Sequence, residues 1–405
     1  MSDKAVTTVN WRQNLKVAWL GNFFTGASFS LVMPFMALYV ENLGTPTELV
    51  EYYAGLAVAV TALASALFAP VWGKLADRYG RKPMMLRASF VMTFTMGGLA
   101  IIPNVFWLLI LRLLTGVFAG YVPNATALIA SQAPKEESGY ALGTLATGVT
   151  AGALIGPLLG GILAELLGIR QVFLLVGVIL FLCSLMTAVY VKEEFKPIRR
   201  FEMIPTKVIL KQVKSPQIML GLFVTSMIIQ ISAQSVAPIL SLYIRHLGQT
   251  HNLMFTSGLV VSAMGFSSLF SSSYLGKLGD RFGNHRLLLA ALCYSFIMYF
   301  SSALAQTSFQ LGVLRFAYGF GVGALMPSIN SLLTKLTPKE GISRVFAYNQ
   351  MSSNLGQVIG PFIGSNVAVV LGYRSVFYVT SLIVFVNLIW SLIIFRKYIK
   401  VKDIV

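Results

Sequence analysis

Few side chains in this 405-residue chain are suited to covalent chemistry. Its cysteines, Cys183 and Cys293, both sit inside apolar runs, and its histidines, His246, His251 and His285, fall between such runs. No group of His, Cys, Asp and Glu has the spacing of a metal site, and no glycine-rich loop has the pattern that cradles phosphates. An enzyme, a metal centre and an organic cofactor are therefore not expected. What remains is a set of charges and amides in apolar surroundings. Arg112 and Arg315 lie inside long hydrophobic stretches, Glu41, Glu51 and Glu165 lie near the ends of others, and one charged decapeptide reads Gly73-Lys-Leu-Ala-Asp77-Arg78-Tyr-Gly80-Arg81-Lys82. Such groups do reversible chemistry: ion pairing, hydrogen bonding and proton carriage.

The elements that must position them follow from composition. Hydrophobic residues make up 56% of the chain and charged ones 11%, about half the charged share of a soluble protein. So few charges leave a soluble surface uncovered, whereas helices facing lipid need no such cover. The fold class is therefore all-α and membrane-spanning. Apolar windows of about 20 residues predict twelve spans, at 16–40, 51–72, 83–103, 105–130, 140–165, 169–191, 217–243, 253–275, 286–305, 309–333, 342–370 and 374–395. Residues 192–216, rich in charge and proline, form the one long polar connection. They divide the chain into a first six-helix bundle (1–191), a linker and a second bundle (217–405).

The net charge of +17 invites a nucleic-acid reading, which placement excludes. Of the 31 Lys and Arg residues, 26 fall in the segments on one side of the predicted membrane, three on the other (Arg170, Arg245, Arg374), and two within spans. This bias assigns both termini to the cytoplasm. The first 16 residues lack the pattern of a removable signal peptide.

The halves repeat each other. The decapeptide returns 203 positions later as Gly276-Lys-Leu-Gly-Asp280-Arg281-Phe-Gly283-Asn-His285, with two basic positions lost. Pro34 answers Pro238, Leu38-Tyr-Val-Glu-Asn-Leu-Gly44 answers Leu242-Tyr-Ile-Arg-His-Leu-Gly248, Arg112 and Gly116 answer Arg315 and Gly319, and Gly156-Pro157 answers Gly360-Pro361. Matches in constant register mean internal duplication. Paired bundles joined by a long linker suit alternating access to a site at the bilayer midplane.

Each motif carries a local expectation. Residues 73–82 should form a turn in which Gly73 allows close packing, Gly80 takes a positive φ, and Asp77 holds cationic groups of a neighbouring helix. Arg112 should face a cavity or a partner, because a guanidinium in hydrocarbon costs several kcal/mol. The glycines of the fifth span (Gly143, Gly152, Gly156, Gly160, Gly161) with Pro157 should bring a bent helix backbone to backbone against a neighbour. Asn22, Asn124, Gln230, Gln234, Asn330, Gln350 and Asn354 are the candidate lining of an amphipathic cavity, with Gln357 and aromatics such as Phe23, Phe29 and Tyr121 nearby. Glu41 is either a proton carrier or an interfacial carboxylate.

Residues 73–82 resemble, at every defining position, the loop between the second and third helices of the major facilitator superfamily. The fifth-span pattern resembles the antiporter motif of that superfamily; its second copy (Gly356, Gly360, Pro361, Gly364) is partial. Over nearly its whole length the chain is similar to the drug:proton antiporter branch, and within it to bacterial multidrug efflux proteins of the MdtG and PmrA type. The resemblance implies two pseudo-symmetric six-helix bundles and export of amphipathic small molecules in exchange for protons. It also implies a monomer in the bacterial cell membrane. It implies a latch in which Asp77 pairs with Arg344, built from Gly73, Asp77, Arg78, Gly80 and Arg81 and repeated in part by Asp280 and Arg281. It further implies a proton-coupling role for Arg112, although Thr115 replaces the Gln often found beside that Arg. A metabolite or sugar facilitator or symporter, and a lipid flippase, are the alternatives on the same fold.

Overall fold

A backbone placed in hydrocarbon has to satisfy its N–H and C=O groups internally, and this chain does so with helices. The structure, a computed structural model, describes residues 10–134, 137–194, 215–337 and 342–402, and among them there is no strand. Twelve helical crossings follow one another. The first bundle has α1 (Trp11–Asn42), α2 (Val50–Tyr79), α3 (Arg81–Gly98), α4 (Val105–Gln132), α5 (Ser138–Leu167) and α6 (Ile169–Tyr190). The second has α7 (Pro216–His246), α8 (Leu253–Phe282), α9 (Asn284–Ala303), α10 (Ser308–Leu336), α11 (Ile342–Leu371) and α12 (Tyr373–Lys402). Among the described residues eleven of these are long and apolar enough to cross a membrane. The exception, α3, carries Arg81, Lys82 and Arg87 within its 18 residues.

The duplication shows in the backbone. Both α1 and α7 tighten into 3-10 geometry at the paired prolines, over Met33–Phe35 and Ala237–Ile239. Six of the seven described glycines with positive φ form pairs: Gly44 with Gly248, Gly80 with Gly283, Gly168 with Gly372. The seventh is Gly120, whose counterpart Gly323 lies inside the continuous α10.

The charged decapeptide departs from the expected turn. Helix α2 continues through Tyr79, Gly80 alone reverses the chain at φ 99°, and α3 starts at Arg81 with Pro83 in its first turn. The second copy does the same at Gly283, also at φ 99°. The end of the molecule that carries these two reversals is called here the motif end, and the opposite one the far end. Gly73 is not a packing contact in this conformation, since a Cβ there would meet nothing within 4 Å.

Glycines decide how the helices pack. Along α5 a Cβ at Gly148 would lie 2.7 Å from the Trp19 carbonyl oxygen and one at Gly160 2.5 Å from that of Leu31, and at Gly152 it would overlap the Phe23 carbonyl. This stripe therefore lays α5 directly on α1, as small residues allow in lipid. The partial copy does the same, with Gly356, Gly360 and Gly364 of α11 against Met227, Ile231 and Ser235 of α7. Between the bundles α2 packs on α11 and α8 on α5. There Gly55 lies against the Pro361 carbonyl and the Ser365 hydroxyl, and Gly258 against the Pro157 carbonyl and Gly161. Gly55 and Gly258 are 203 positions apart, so the two joints between bundles are copies of one another.

Candidate functional site

A cavity of about 930 Å³ lies between the bundles, walled mainly by α1, α2, α4 and α5. Among the described residues only Gln230, Gln234 and Gln357 line it from the second bundle. The lining runs from Phe29, Met33 and Arg112 to Trp72, Gly73, Ala76 and Arg81 at the motif end. Gly276, the counterpart of Gly73, likewise has nothing within 4 Å of a Cβ position. The glycines of the two repeated motifs thus face open space at that end.

One wall is a broken helix. The predicted fourth span was continuous, yet α4 stops at Val117 and restarts at Tyr121 around Gly120, at φ 128°. A break at membrane depth is tolerated where its freed carbonyls find donors. Here Trp72 of α2 donates its indole N–H to Val117 O at 2.6 Å, and Arg87 of α3 donates to Ala119 O at 2.9 Å and Phe118 O at 3.3 Å. The Arg87 guanidinium lies 3.4 Å over the Trp72 ring. Arg87 is therefore a half-buried donor inside the bundle, where the charge count had placed it with the loop. Asn124 closes the motif by donating to Gly120 O at 2.7 Å. The counterparts of Trp72 and Arg87 are Leu275 and Ala290. Neither can donate, and α10 stays helical through Pro327.

Arg112 lines the cavity from α4 and is 3% exposed. Its Nη2 lies 3.9 Å from the Met36 sulfur, its Nε has no partner, and its backbone carbonyl accepts from Thr61 at 3.0 Å. No described carboxylate pairs with it. Arg315 is buried as well but does not line the cavity; it sits 6.0 Å from the ring of Tyr318, whose hydroxyl meets that of Tyr299 at 3.1 Å. The duplication thus kept the residue in both halves and its access to the cavity in one.

The far end is closed by contacts between the bundles. Arg245 of α7 donates to Glu41 of α1 at 2.7 Å, and Tyr373 of α12 to the buried Glu51 of α2 at 2.5 Å. Glu165 of α5 accepts from the Met254 backbone N–H of α8 at 3.2 Å. Glu41 and Arg245 are mutual counterparts under the duplication, so opposite charges meet where two equivalent positions face each other. Apolar packing adds to the closure, with Leu242 of α7 inside the cluster built from Phe35, Tyr39 and Phe173.

The sequence-derived candidates divide between cavity and scaffold. Asn124, Gln230 and Gln234 line the cavity, as do Gln357, Phe29 and Tyr121. Asn22 instead turns to α5, where its amide approaches Leu145 O at 3.5 Å; Gln350 donates to Asn354 at 2.9 Å on the same helix, and Asn330 lies outside the lining. Phe23 stacks on Trp19 with ring centroids 5.8 Å apart. Glu41 belongs to the far-end closure. The side chains of Asp77, Asp280 and Arg344 lie outside the described part of the structure, as do the surroundings of Gly143 and residues 195–214 of the linker. Arg78 and Arg281 each lie over the neighbouring ring, Tyr79 and Phe282, at 5.2 and 5.4 Å. Glu193, unremarked in the sequence, accepts from the backbone N–H groups of Arg81 (2.9 Å) and Lys82 (2.8 Å) and so caps α3 where it leaves the motif.

Comparison with known proteins places this geometry in a wider group. The sequence profile described as Major Facilitator Superfamily matches residues 18–305 and 222–404. The chain is 59% identical to the multi-drug resistance efflux pump PmrA of Streptococcus pneumoniae, over 98% of this chain and 100% of that one. It is 45% identical to the multidrug resistance protein MdtG of Enterobacter lignolyticus, over 96% and 94%. Among solved structures, a bacterial homolog to the human lysosomal transporter Spinster, described as inward-facing and occupied, aligns with a TM-score of 0.82 at 14% identity. That alignment covers 95% of this chain and 97% of that one, a likeness of fold.

Proposed function

This chain belongs to the major facilitator superfamily, and from that premise we propose that it exports amphipathic small molecules in exchange for protons. It is a multi-pass membrane transporter, not an enzyme. The observation that carries the proposal is a cavity reaching one end of the molecule while three contacts between bundles seal the other. With the basic segments on the cytoplasmic side, the motif end faces the cytoplasm, and the conformation is the one that loads cargo from inside. Closing the motif end and opening the far end about the matched joints at Gly55 and Gly258 would then release cargo outside. Asp77 and Arg344 are the proposed latch of the opposite state. Export over import is supported by the efflux relatives and by the α5 glycine stripe.

Proton coupling is proposed to run through the far-end closure. A proton reaching Glu41 from outside removes half of its ion pair with Arg245, which favours opening on that side. Accumulation of a fluorescent amphiphile in cells with and without the protein, repeated with a protonophore, tests the whole reading. Lower accumulation that the protonophore abolishes is expected. Purified protein that moves no solute in sealed liposomes under an imposed pH step would sink it.

A further inference from the structure

The cavity is electrically one-sided. Among the described lining residues Arg112 deep in the wall and Arg81 near the mouth contribute positive charge, and none is a carboxylate. A guanidinium buried without a counter-ion is expensive unless a partner arrives. Arg112 keeps its Nε unpartnered. A second source of positive potential lies on the same wall. The break in α4 begins a new 12-residue segment, Tyr121–Gln132, which has no side-chain cap, and its first residues line the cavity. Uncapped first-turn N–H groups and the helix dipole favour negative charge there. Around these groups the cavity is apolar at Phe29 and Met33. Across from the first bundle stand neutral amides, among them Gln234, whose Oε1 has no partner.

Resting on the export reading above, we infer that the preferred cargo is an amphipathic anion, its carboxylate held by Arg112 and its apolar body against Phe29 and Met33. Lipophilic cations meet a like charge here instead of a partner. The second bundle contributes amides that hydrogen-bond neutral polar groups and so grip the cargo from the other side. Arg112 is then a cargo ligand in the state open at the motif end.

Equilibrium binding to the purified full-length protein in nanodiscs, with no gradient imposed, separates this role from coupling. The probes are pyrenebutyrate, its methyl ester and pyrenebutylamine, matched in their apolar part and read by quenching of tryptophan fluorescence, Trp72 being in the lining. The acid should bind roughly tenfold or more tightly than the ester, as expected for a hydrogen-bonded charge pair, and the amine should bind weakest. Arg112→Gln should bring the acid to the level of the ester and leave the ester unchanged, while Arg112→Lys should keep part of the preference. Equal binding of acid and ester by the unaltered protein, or loss of both together in Arg112→Gln, overturns the inference. Transport of the same three probes by proteoliposomes separates the two readings. Acid-selective binding without movement of any probe keeps the anchor and removes export. Movement of all three with no preference for the acid keeps export and removes the anchor.

Discussion

The far-end closure offers a perturbation whose size can be worked out. Two polar contacts there look alike but differ in worth. The Glu41–Arg245 pair has side chains 35% and 39% exposed, so it counts as a surface ion pair of about 0.2–1 kcal/mol. Glu51 is only 8% exposed, and its bond from Tyr373 is a hydrogen bond to a charged group, worth about 1.5–3 kcal/mol. Both exist only while the far end is shut. Tyr373→Phe should therefore shift the equilibrium toward the far-open state by roughly 10- to 160-fold, and Glu41→Gln by no more than about fivefold. Spin labels at the exposed positions Glu48→Cys and His251→Cys would report the far-end separation, after the exposed Cys293 is replaced by Ser and the buried Cys183 is left in place. The long-distance population measured by electron–electron double resonance should rise strongly in Tyr373→Phe and slightly in Glu41→Gln. A distance distribution in Tyr373→Phe that matches the parent, or a larger shift from Glu41→Gln, would refute the ranking by burial.

Four further outcomes follow from the packing and the motifs. Gly152→Ala should destabilise the first bundle by about 1–3 kcal/mol, because the added methyl would overlap the Phe23 carbonyl and lie 2.7 Å from the Ala27 backbone nitrogen. Gly73→Ala, with open space around it, should leave the thermal unfolding midpoint in detergent unchanged. Trp72→Phe removes the donor to the part-buried Val117 O, costing about 0.5–1.5 kcal/mol, whereas Leu275→Phe at the matching site should cost less; thermal denaturation of both variants checks this. Asp77→Asn should abolish export while membrane immunoblots show normal levels, and normal export by that variant would remove the latch.

Much of the fold was legible because duplication repeats its signals. Gly44, Gly80 and Gly168 each have a partner 203 or 204 positions on, and each pair closes a reversal that needs positive φ. The ion pair at the far end was also within reach. An acid and a base at equivalent positions, Glu41 and Arg245, are what two facing copies near a pseudo-two-fold axis require, but counterpart analysis alone does not say which equivalent positions lie near that axis. The broken α4 escaped because apolar windows register composition and not hydrogen bonding. Its signal was the loss of matching donors, Trp72 and Arg87 against Leu275 and Ala290. The cavity lining was legible only in part. Periodicity put Gln350 and Asn354 on one stripe with Gln357, yet the cavity reaches Gln357 alone, and sequence spacing does not fix the depth at which a stripe meets open space.

The interruption at Gly120 makes the two repeats unequal workers. A duplication that produced matched joints left one repeat interrupted beside the cavity and the other unbroken; on the proposed mechanism the symmetry would serve the rocking and the asymmetry the grip. A tandem built from two copies of the second repeat would still have somewhere to pivot, but nothing shaped to take hold of a passenger.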